Sequence, residues 1–144
     1  MISGVAVVDA SVVVEYLVEF QLEAQATRFF AGLVAEPALE LWAPDLVYPE
    51  AVSALRKLVQ RRAITVDAGT RAVERLIRLP LIATGTGGLM AEAWALRRSV
   101  TPYDACYLAL AARLRAPCVT ADARLARGQR GRTGRVLFLG DLGP

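Results

Sequence analysis

Short runs of apolar, β-branched residues alternate along this chain with longer amphipathic stretches. The first run, Val5–Val8, ends directly at Asp9, a pattern typical of a strand buried on both faces. The stretches between the runs have the periodicity and the start signals of helices. The pattern predicts strands at 5–8, 40–43, 79–84, 117–120 and 136–139, and helices at 12–18, 21–35, 44–62, 65–78, 89–98 and 101–114, with a helical turn at 122–126.

Two of the predicted helices begin with recognisable capping residues. Thr101 can cap the helix that follows, Pro102 suits its first position, and Asp104 then falls at the third. Asp45 is predicted to cap the long helix that runs to about residue 62. Because strands alternate with helices throughout, we expect a single α/β domain over residues 1–144, with a central, mainly parallel sheet flanked by helices.

The composition is rich in apolar residues, yet it gives no sign of a membrane protein. Hydrophobic residues make up 55% of the chain, and the mean hydropathy is +0.39. The longest stretch without a charge, residues 79–91, is interrupted by proline and glycine and is shorter than the roughly 20 residues of a membrane span. The N-terminus lacks the basic region of a signal peptide. We therefore expect a cytoplasmic protein.

The chain contains no histidine and only two cysteines, Cys106 and Cys118, both in apolar surroundings. We expect these cysteines to be buried thiols. A structural zinc site and any histidine-dependent catalysis are excluded by this composition. Carboxylates and hydroxyls remain as the groups that carry any chemistry.

The net charge of +3 conceals an uneven distribution along the chain. Up to residue 50 the only basic residue is Arg28. The other sixteen of the seventeen basic residues lie after residue 50, together with only six acids. The C-terminal half therefore has a positive field that attracts a polyanion.

Four carboxylates stand at comparable places in the predicted architecture. Asp9 and Asp122 follow predicted strands, Asp104 lies in the first turn of a helix, and Glu50 lies in the second turn of the helix predicted to start at Asp45. Taken singly, each is explained as a helix cap or a solvated acid. Ligands of open α/β sheets collect at the carboxyl ends of strands, and Mg²⁺ prefers oxygen ligands. Together the four acids indicate a metal site suited to phosphodiester hydrolysis.

Four segments in this order and spacing resemble the PIN-domain ribonucleases, specifically the VapC-type toxins of type II toxin–antitoxin pairs. The segments are residues 7–12 (VVDASV), 49–55 (PEAVSAL), 101–111 (TPYDACYLALA) and 119–125 (VTADARL). The resemblance covers nearly the whole chain and implies a PIN-like three-layer fold. It also implies an Mg²⁺-dependent endoribonuclease, with Mn²⁺ as a possible substitute, in which a metal-activated water attacks the phosphodiester.

The resemblance also assigns roles to individual residues. It implies that Asp9, Glu50, Asp104 and Asp122 are the catalytic, metal-binding acids, and that the hydroxyls of Ser11 and Thr120 support them. Ser53 departs from the family, because many relatives have Asn there. The arginines that follow Asp122 are candidates for binding RNA phosphates, although a solvated loop explains them equally well. They are Arg124, Arg127, Arg130, Arg132 and Arg135.

A protein partner is implied by the same resemblance. Such toxins are held inactive by a cognate VapB-like antitoxin, so we expect RNA as the substrate and either a homodimer or a toxin–antitoxin hetero-oligomer. An apolar face of the third predicted helix suits antitoxin docking, unless it simply packs into the core. This face comprises Leu46, Val47, Leu55, Leu58 and Val59.

Three other functions remain to be weighed. A phosphoryl-transfer protein on a similar sheet is disfavoured, because Ser11 stands where a dehalogenase-like phosphatase has its second Asp and the only lysine, Lys57, lies on an early helix. A catalytically silent module with the same fold that binds RNA or an antitoxin stays open. So does an RNA-processing nuclease that has no antitoxin.

Overall fold

A computed structural model of the chain describes residues 4–18, 23–35, 39–129 and 135–142. Within these ranges, five strands alternate with helices, and short 3₁₀ segments lie at Thr86–Leu89 and Leu139–Leu142. The strands are β1 (Val5–Val8), β2 (Glu40–Pro44), β3 (Leu81–Thr84), β4 (Cys118–Thr120) and β5 (Val136–Phe138). The helices are α1 (Ala10–Val18), α2 (Glu23–Ala35), α3 (Val47–Gln60), α4 (Val66–Arg78), α5 (Met90–Ala95), α6 (Pro102–Leu114) and α7 (Ala123–Gly128).

The five strands form one sheet in the order β3-β2-β1-β4-β5, and every neighbouring pair is parallel. Val7 of the central strand β1 pairs with Trp42 of β2 on one side and with Cys118 of β4 on the other. The chain builds outward from β1 to β3 and then returns to place β4 on the opposite side of β1. The order therefore reverses between β1 and β4, the point at which open α/β sheets bind their ligands. The prediction of a three-layer α/β fold with a parallel sheet is confirmed.

Small residues bring helix α6 close to the sheet. Its buried positions include several alanines and Cys106, and the helix packs on β1, β2 and β4. Tyr107 is its one large, fully buried side chain. Helix α1 packs against α2, α3, α4 and β4. Cys106 and Cys118 are both buried free thiols, as the sequence predicts.

The predicted capping role of Asp45 is wrong. Helix α3 begins at Val47, its N-cap position is Leu46, and no side chain caps it. The Asp45 carboxylate instead accepts a hydrogen bond from the backbone N–H of Thr86, 3.3 Å away. Because the helix starts later than predicted, Glu50 lies in its first turn rather than its second.

Helix α5 is shorter than predicted and ends at Ala95 instead of residue 98. The following residues turn back, with the N–H groups of Ser99 and Val100 both bonded to the carbonyl of Leu96. Both the backbone N–H and the guanidinium of Arg97 donate to the carbonyl of Trp94 at the helix end. This turn directs the chain into the capped start of α6.

The apolar face of α3 predicted for antitoxin docking belongs largely to the core. Val47 and Leu55 are 0% and 2% exposed, and both lie in the main hydrophobic cluster. Leu46, Leu58 and Val59 are only partly buried. The docking prediction is therefore wrong for Val47 and Leu55, because the sheet and the neighbouring helices already cover them.

In the part of the chain that the structure describes, no helix is both long and apolar enough to cross a membrane.

The buried and exposed sides of α3 should contribute differently to the free energy of unfolding. We expect Leu55→Ala to lower the free energy of unfolding by roughly 2–5 kcal/mol, because it leaves a cavity in the core. Val52→Ala, a matched truncation at a position 42% exposed on the same helix, should change it by about 0.5 kcal/mol or less. Urea denaturation measures both, and equal losses would contradict this placement of the core.

Candidate metal centre

The candidate site lies where the adjacent strands β1 and β4 end. Asp9 directly follows β1, and Thr120 is the last residue of β4. Because the two strands are parallel neighbours, their carboxyl ends meet at one edge of the sheet. Asp122 follows β4 by two residues and is the N-cap of α7. Residues 111 positions apart in sequence, Asp9 and Thr120, thus come into direct contact.

The Asp9 carboxylate is buried and held by three hydrogen bonds. Its Oδ1 accepts from the hydroxyl of Ser11 at 2.5 Å and from the backbone N–H of Val12 at 3.2 Å. Its Oδ2 accepts from the hydroxyl of Thr120 at 2.5 Å. Burial raises the pKa of Asp9 to about 6, although the hydrogen bonds from Ser11, Thr120 and Val12 oppose that rise. The side chain therefore has one fixed orientation.

The two hydroxyls also connect this carboxylate to the segment after β4. Ser11 Oγ accepts a hydrogen bond from the N–H of Ala121 at 2.8 Å, and Thr120 Oγ1 accepts one from the N–H of Asp122 at 3.0 Å. Each hydroxyl therefore donates to Asp9 and accepts from the β4–α7 connection. The structure thus brings Ser11 and Thr120 together with Asp9, as the sequence predicts.

Asp122 is positioned by its role as a helix cap. Its Oδ1 accepts from the N–H groups of Arg124 and Leu125 at 2.9 and 3.4 Å. Such a cap fixes the carboxylate at the positive end of α7. The side chain remains partly exposed, so capping leaves it accessible to a ligand.

Glu50 is positioned by a contact that sequence reasoning missed. The buried hydroxyl of Tyr107 donates to Glu50 Oε1 at 2.6 Å, which joins α6 to α3. Burial and the charge of Asp104 raise the pKa of Glu50, whereas the Tyr107 hydrogen bond lowers it. One feature of the sequence could have indicated that Tyr107 belongs to the site: it lies three residues after Asp104, one turn along the same helix face.

Asp104 connects the four acids electrostatically. Thr101 caps α6 by accepting from the N–H of Asp104 at 3.2 Å, which fixes the first turn. Partial burial and then the charge of Asp122 raise the pKa of Asp104. The charge of Asp104 in turn raises the pKa of both Asp9 and Glu50. Four carboxylates that repel one another through a common member favour a bound cation.

The arrangement fits a hydrated ion better than a fully enclosed one. Among the described residues, no three acidic or cysteine side chains converge as a ready-made set of direct metal ligands. Mg²⁺ is usually held by one or two carboxylates and keeps several of its waters. An open group of oxygen donors around Asp104 matches that chemistry, and direct ligation of one ion by all four acids would require the side chains to move closer.

The described residues include only three of the five arginines predicted to bind RNA. Arg124 and Arg127 lie on α7 and are exposed, with Arg124 Nε 3.7 Å from a carboxylate oxygen of Asp122. Arg130 and Arg132 fall outside the described residues. Arg135 is exposed beside β5, and its carbonyl accepts from the N–H of Cys118.

A cleft of about 610 Å³ opens beside Asp104 and Asp122. One wall is the α5–α6 connection, residues 97–102, and the other is α7, with Arg124. We call it the arginine cleft, because Arg97, Arg98 and Arg124 all line it. Sequence reasoning missed Arg97 and Arg98; the signal was a pair of arginines just before the capped start of α6.

The hydroxyl of Thr120 links two of the acids, so its removal should be costly. We expect Thr120→Val, which keeps the shape of the side chain, to lower the free energy of unfolding by about 1–3 kcal/mol, because Asp9 loses a donor in a buried site. Thr120→Ser retains the hydroxyl and should lose less. Urea denaturation without added metal measures both, and wild-type stability of the valine variant would contradict the network.

The chain is similar to known proteins in both sequence and fold. The PIN domain family model matches residues 6–130. The VapC ribonuclease Mb0985 of Mycobacterium bovis is 37% identical over 120 residues, 83% of this chain and 87% of that protein. Among solved structures, PAE2754 from Pyrobaculum aerophilum superposes with a TM-score of 0.65 at 19% identity, covering 96% of this chain and 87% of that one. A toxin–antitoxin complex from Klebsiella pneumoniae gives a TM-score of 0.59 at 18% identity, covering 93% and 97%. The chain therefore belongs to the PIN-domain family and, within it, to the VapC ribonucleases.

Proposed function

We propose that this protein is a divalent-metal-dependent endoribonuclease, the toxin of a VapBC-type pair, and that its four acids hold the metal. Membership of the VapC ribonucleases supports the activity. The observation that carries the assignment of the site is the meeting of Asp9, Thr120 and Asp122 at the carboxyl ends of the parallel neighbours β1 and β4. The charge of Asp104 raises the pKa of Asp9 and Glu50, which supports a common site. We assign Mg²⁺, with Mn²⁺ as a substitute, because every donor is a carboxylate oxygen.

A bound divalent cation supplies charge neutralisation at the phosphate and a water acidic enough to attack near neutral pH. The residues of this chain hold the acids in fixed orientations. Ser11 and Thr120 fix Asp9, the Tyr107 hydroxyl fixes Glu50, and capping fixes Asp122. Ser11 and Thr120 therefore position Asp9, since each donates to its carboxylate and accepts from the β4–α7 connection. We assign the role of nucleophile to a metal-activated water, as membership of the family implies, so that no covalent intermediate with the protein is needed.

Cleavage of total cellular RNA by the purified protein tests the activity. We expect cutting with Mg²⁺ or Mn²⁺, none with EDTA, and a loss of at least about 100-fold in Asp104→Asn, since it removes the acid that couples the other three. Asp67→Asn neutralises an exposed carboxylate on α4 and serves as the matched control. A folded protein that binds Mg²⁺ but leaves all RNA intact would favour the catalytically silent module.

Metal binding is also measurable without turnover. Because Asp104 repels three other carboxylates, we expect Asp104→Asn to raise the melting temperature of the metal-free protein. Mg²⁺ should raise the melting temperature of the wild type and of Asp67→Asn, but scarcely that of Asp104→Asn, since a ligand stabilises only the state that binds it. An equal response of all three proteins would place the metal elsewhere.

An antitoxin partner is proposed because the chain is similar in fold to a toxin from a solved toxin–antitoxin complex and belongs to the VapC ribonucleases. The surface that fits is an apolar groove between α3 and α4, which shares only Leu55 and Val59 with the face predicted from the sequence. Val52, Val59, Val66 and Val73 line this groove, and Val52 and Val66 are exposed. Valines in a shallow groove suit the apolar face of an amphipathic helix.

Charged substitutions in this groove test the partner. We expect Val52→Asp with Val66→Asp to weaken inhibition by the product of an adjoining small reading frame at least tenfold, because carboxylates are costly to bury at an apolar contact. RNA cleavage by the free variant should not change. Ile77→Asp, at an exposed α4 position outside the groove, is the control. Inhibition that is equal for all variants would remove the groove from the interface.

A further inference from the structure

The arginine cleft is lined by side chains of both charges. Asp104 and Asp122 of the acidic site line it, and so do Arg97 and Arg98 of the α5–α6 connection. Its volume of about 610 Å³ lies within the roughly 300–1,000 Å³ of pockets that enclose small ligands. A substrate held at the acids by a cation would extend its neighbouring phosphates along this wall.

We propose that the arginine cleft binds single-stranded RNA next to the scissile phosphodiester, with Arg97 and Arg98 on its phosphates and Tyr103 stacked on an unpaired base. This inference rests on the proposed nuclease function and adds to it the residues that hold the substrate. None of these three residues belongs to the four-acid site.

The side chains of Arg97 and Arg98 differ in their contacts, but both have N–H donors left for an anionic ligand. Arg97 lies over the ring of Trp94, with its guanidinium carbon 4.8 Å from the ring centroid, and donates to the Trp94 carbonyl. A guanidinium has five N–H donors, so most of those of Arg97 remain for a ligand, and its position is already fixed. Arg98 is exposed and makes no hydrogen bond or ion pair within the described ranges.

Neutralisation of the nearby acids does not account for this pair. The cation that approaches the acids is Arg124, which lies 3.7 Å from Asp122 and lowers the pKa of Asp104. Arg97 and Arg98 also line the cleft, and among the described residues neither forms an ion pair with a carboxylate. Their charge is therefore available to a polyanion.

Tyr103 provides an exposed aromatic surface beside the cleft. It is 58% exposed and is not itself a lining residue, but its chain neighbours Pro102 and Asp104 both line the cleft. The Thr101 cap and Pro102 hold its backbone in the first turn of α6. An exposed ring stacks on a base that is not already stacked in a duplex, which selects single-stranded RNA over a helix.

Fluorescence anisotropy tests the assignment with a labelled single-stranded RNA of about 12 nucleotides and mixed sequence. Measurements in EDTA keep the RNA intact. We expect Arg97→Gln with Arg98→Gln to weaken binding at least fivefold and to reduce the salt slope by about 1.4, since each lost single-strand phosphate contact removes about 0.7. Arg71→Gln with Arg78→Gln, an equal charge change on exposed positions of α4, should leave both quantities near wild type.

The stacking partner is tested separately. Tyr103→Ala should weaken binding at least about fivefold, the lower end for losing one stacked base, whereas Tyr103→Phe should restore it. A duplex of the same sequence should bind equally to wild type and Tyr103→Ala. Urea denaturation of every variant is the control for misfolding. We expect midpoints near that of the wild type, because the substituted side chains are exposed.

The outcomes separate this inference from the nuclease itself. If wild type cuts RNA with Mg²⁺ but Arg97→Gln with Arg98→Gln matches the α4 control in affinity and salt slope, the cleft assignment is overturned and the nuclease stands. If the labelled RNA does not bind wild type, the assignment is likewise overturned. Displacement of RNA by an equal concentration of hexaglutamate peptide would identify the cleft as a site for an acidic protein segment. In contrast, weak competition by the peptide supports RNA.

Discussion

The arrangement of the site depends on one buried carboxylate. Asp9 is only 7% exposed, and an ionised group in that position is stable only if donors compensate for the lost water. Two of its donors, Ser11 and Val12, come from the next turn of the chain, but Thr120 comes from β4. The compensation therefore exists only when β4 lies beside β1. The parallel pairing of these strands is thus a condition for both the fold and the chemistry.

The acids placed by that pairing oppose folding in the absence of a cation. Asp104 raises the pKa of Asp9 and Glu50 and is itself affected by Asp122, so repulsion is shared by the whole group. Fixed hydrogen bonds, such as that from Tyr107 to Glu50, prevent the side chains from turning away to relieve it. In the proposed metal site, a divalent ion relieves this repulsion, so the proposal links stability to metal binding.

The acidic site and the arginines of the arginine cleft, which carry opposite charges, lie next to each other. In the proposed function, the acids hold a cation and by themselves repel RNA, whereas the arginine cleft beside them supplies positive charge for phosphates. The α5–α6 connection serves both ends, because Thr101 caps the helix that carries Asp104 and Arg97 and Arg98 lie just before it. The early end of α5 creates this connection, and Trp94 at that end holds Arg97. A local change in helix length thus shapes the surface beside the site.

The sequence by itself determined the order of strands and helices, the capped start of α6 and the acidic character of the site, because these follow from short-range periodicity, capping and composition. It also placed Asp9 and Asp122 at strand ends, and a parallel sheet brings such ends to one edge. Tertiary structure decided what depends on distant contacts. Strand order sets Thr120 on Asp9, and packing joins Tyr107 to Glu50 across 57 positions. Packing also buries Val47 and Leu55 of the α3 face that resembled a docking surface. Local patterns record the preferences of neighbouring residues, whereas pairings between distant elements are fixed only when the whole sheet is assembled.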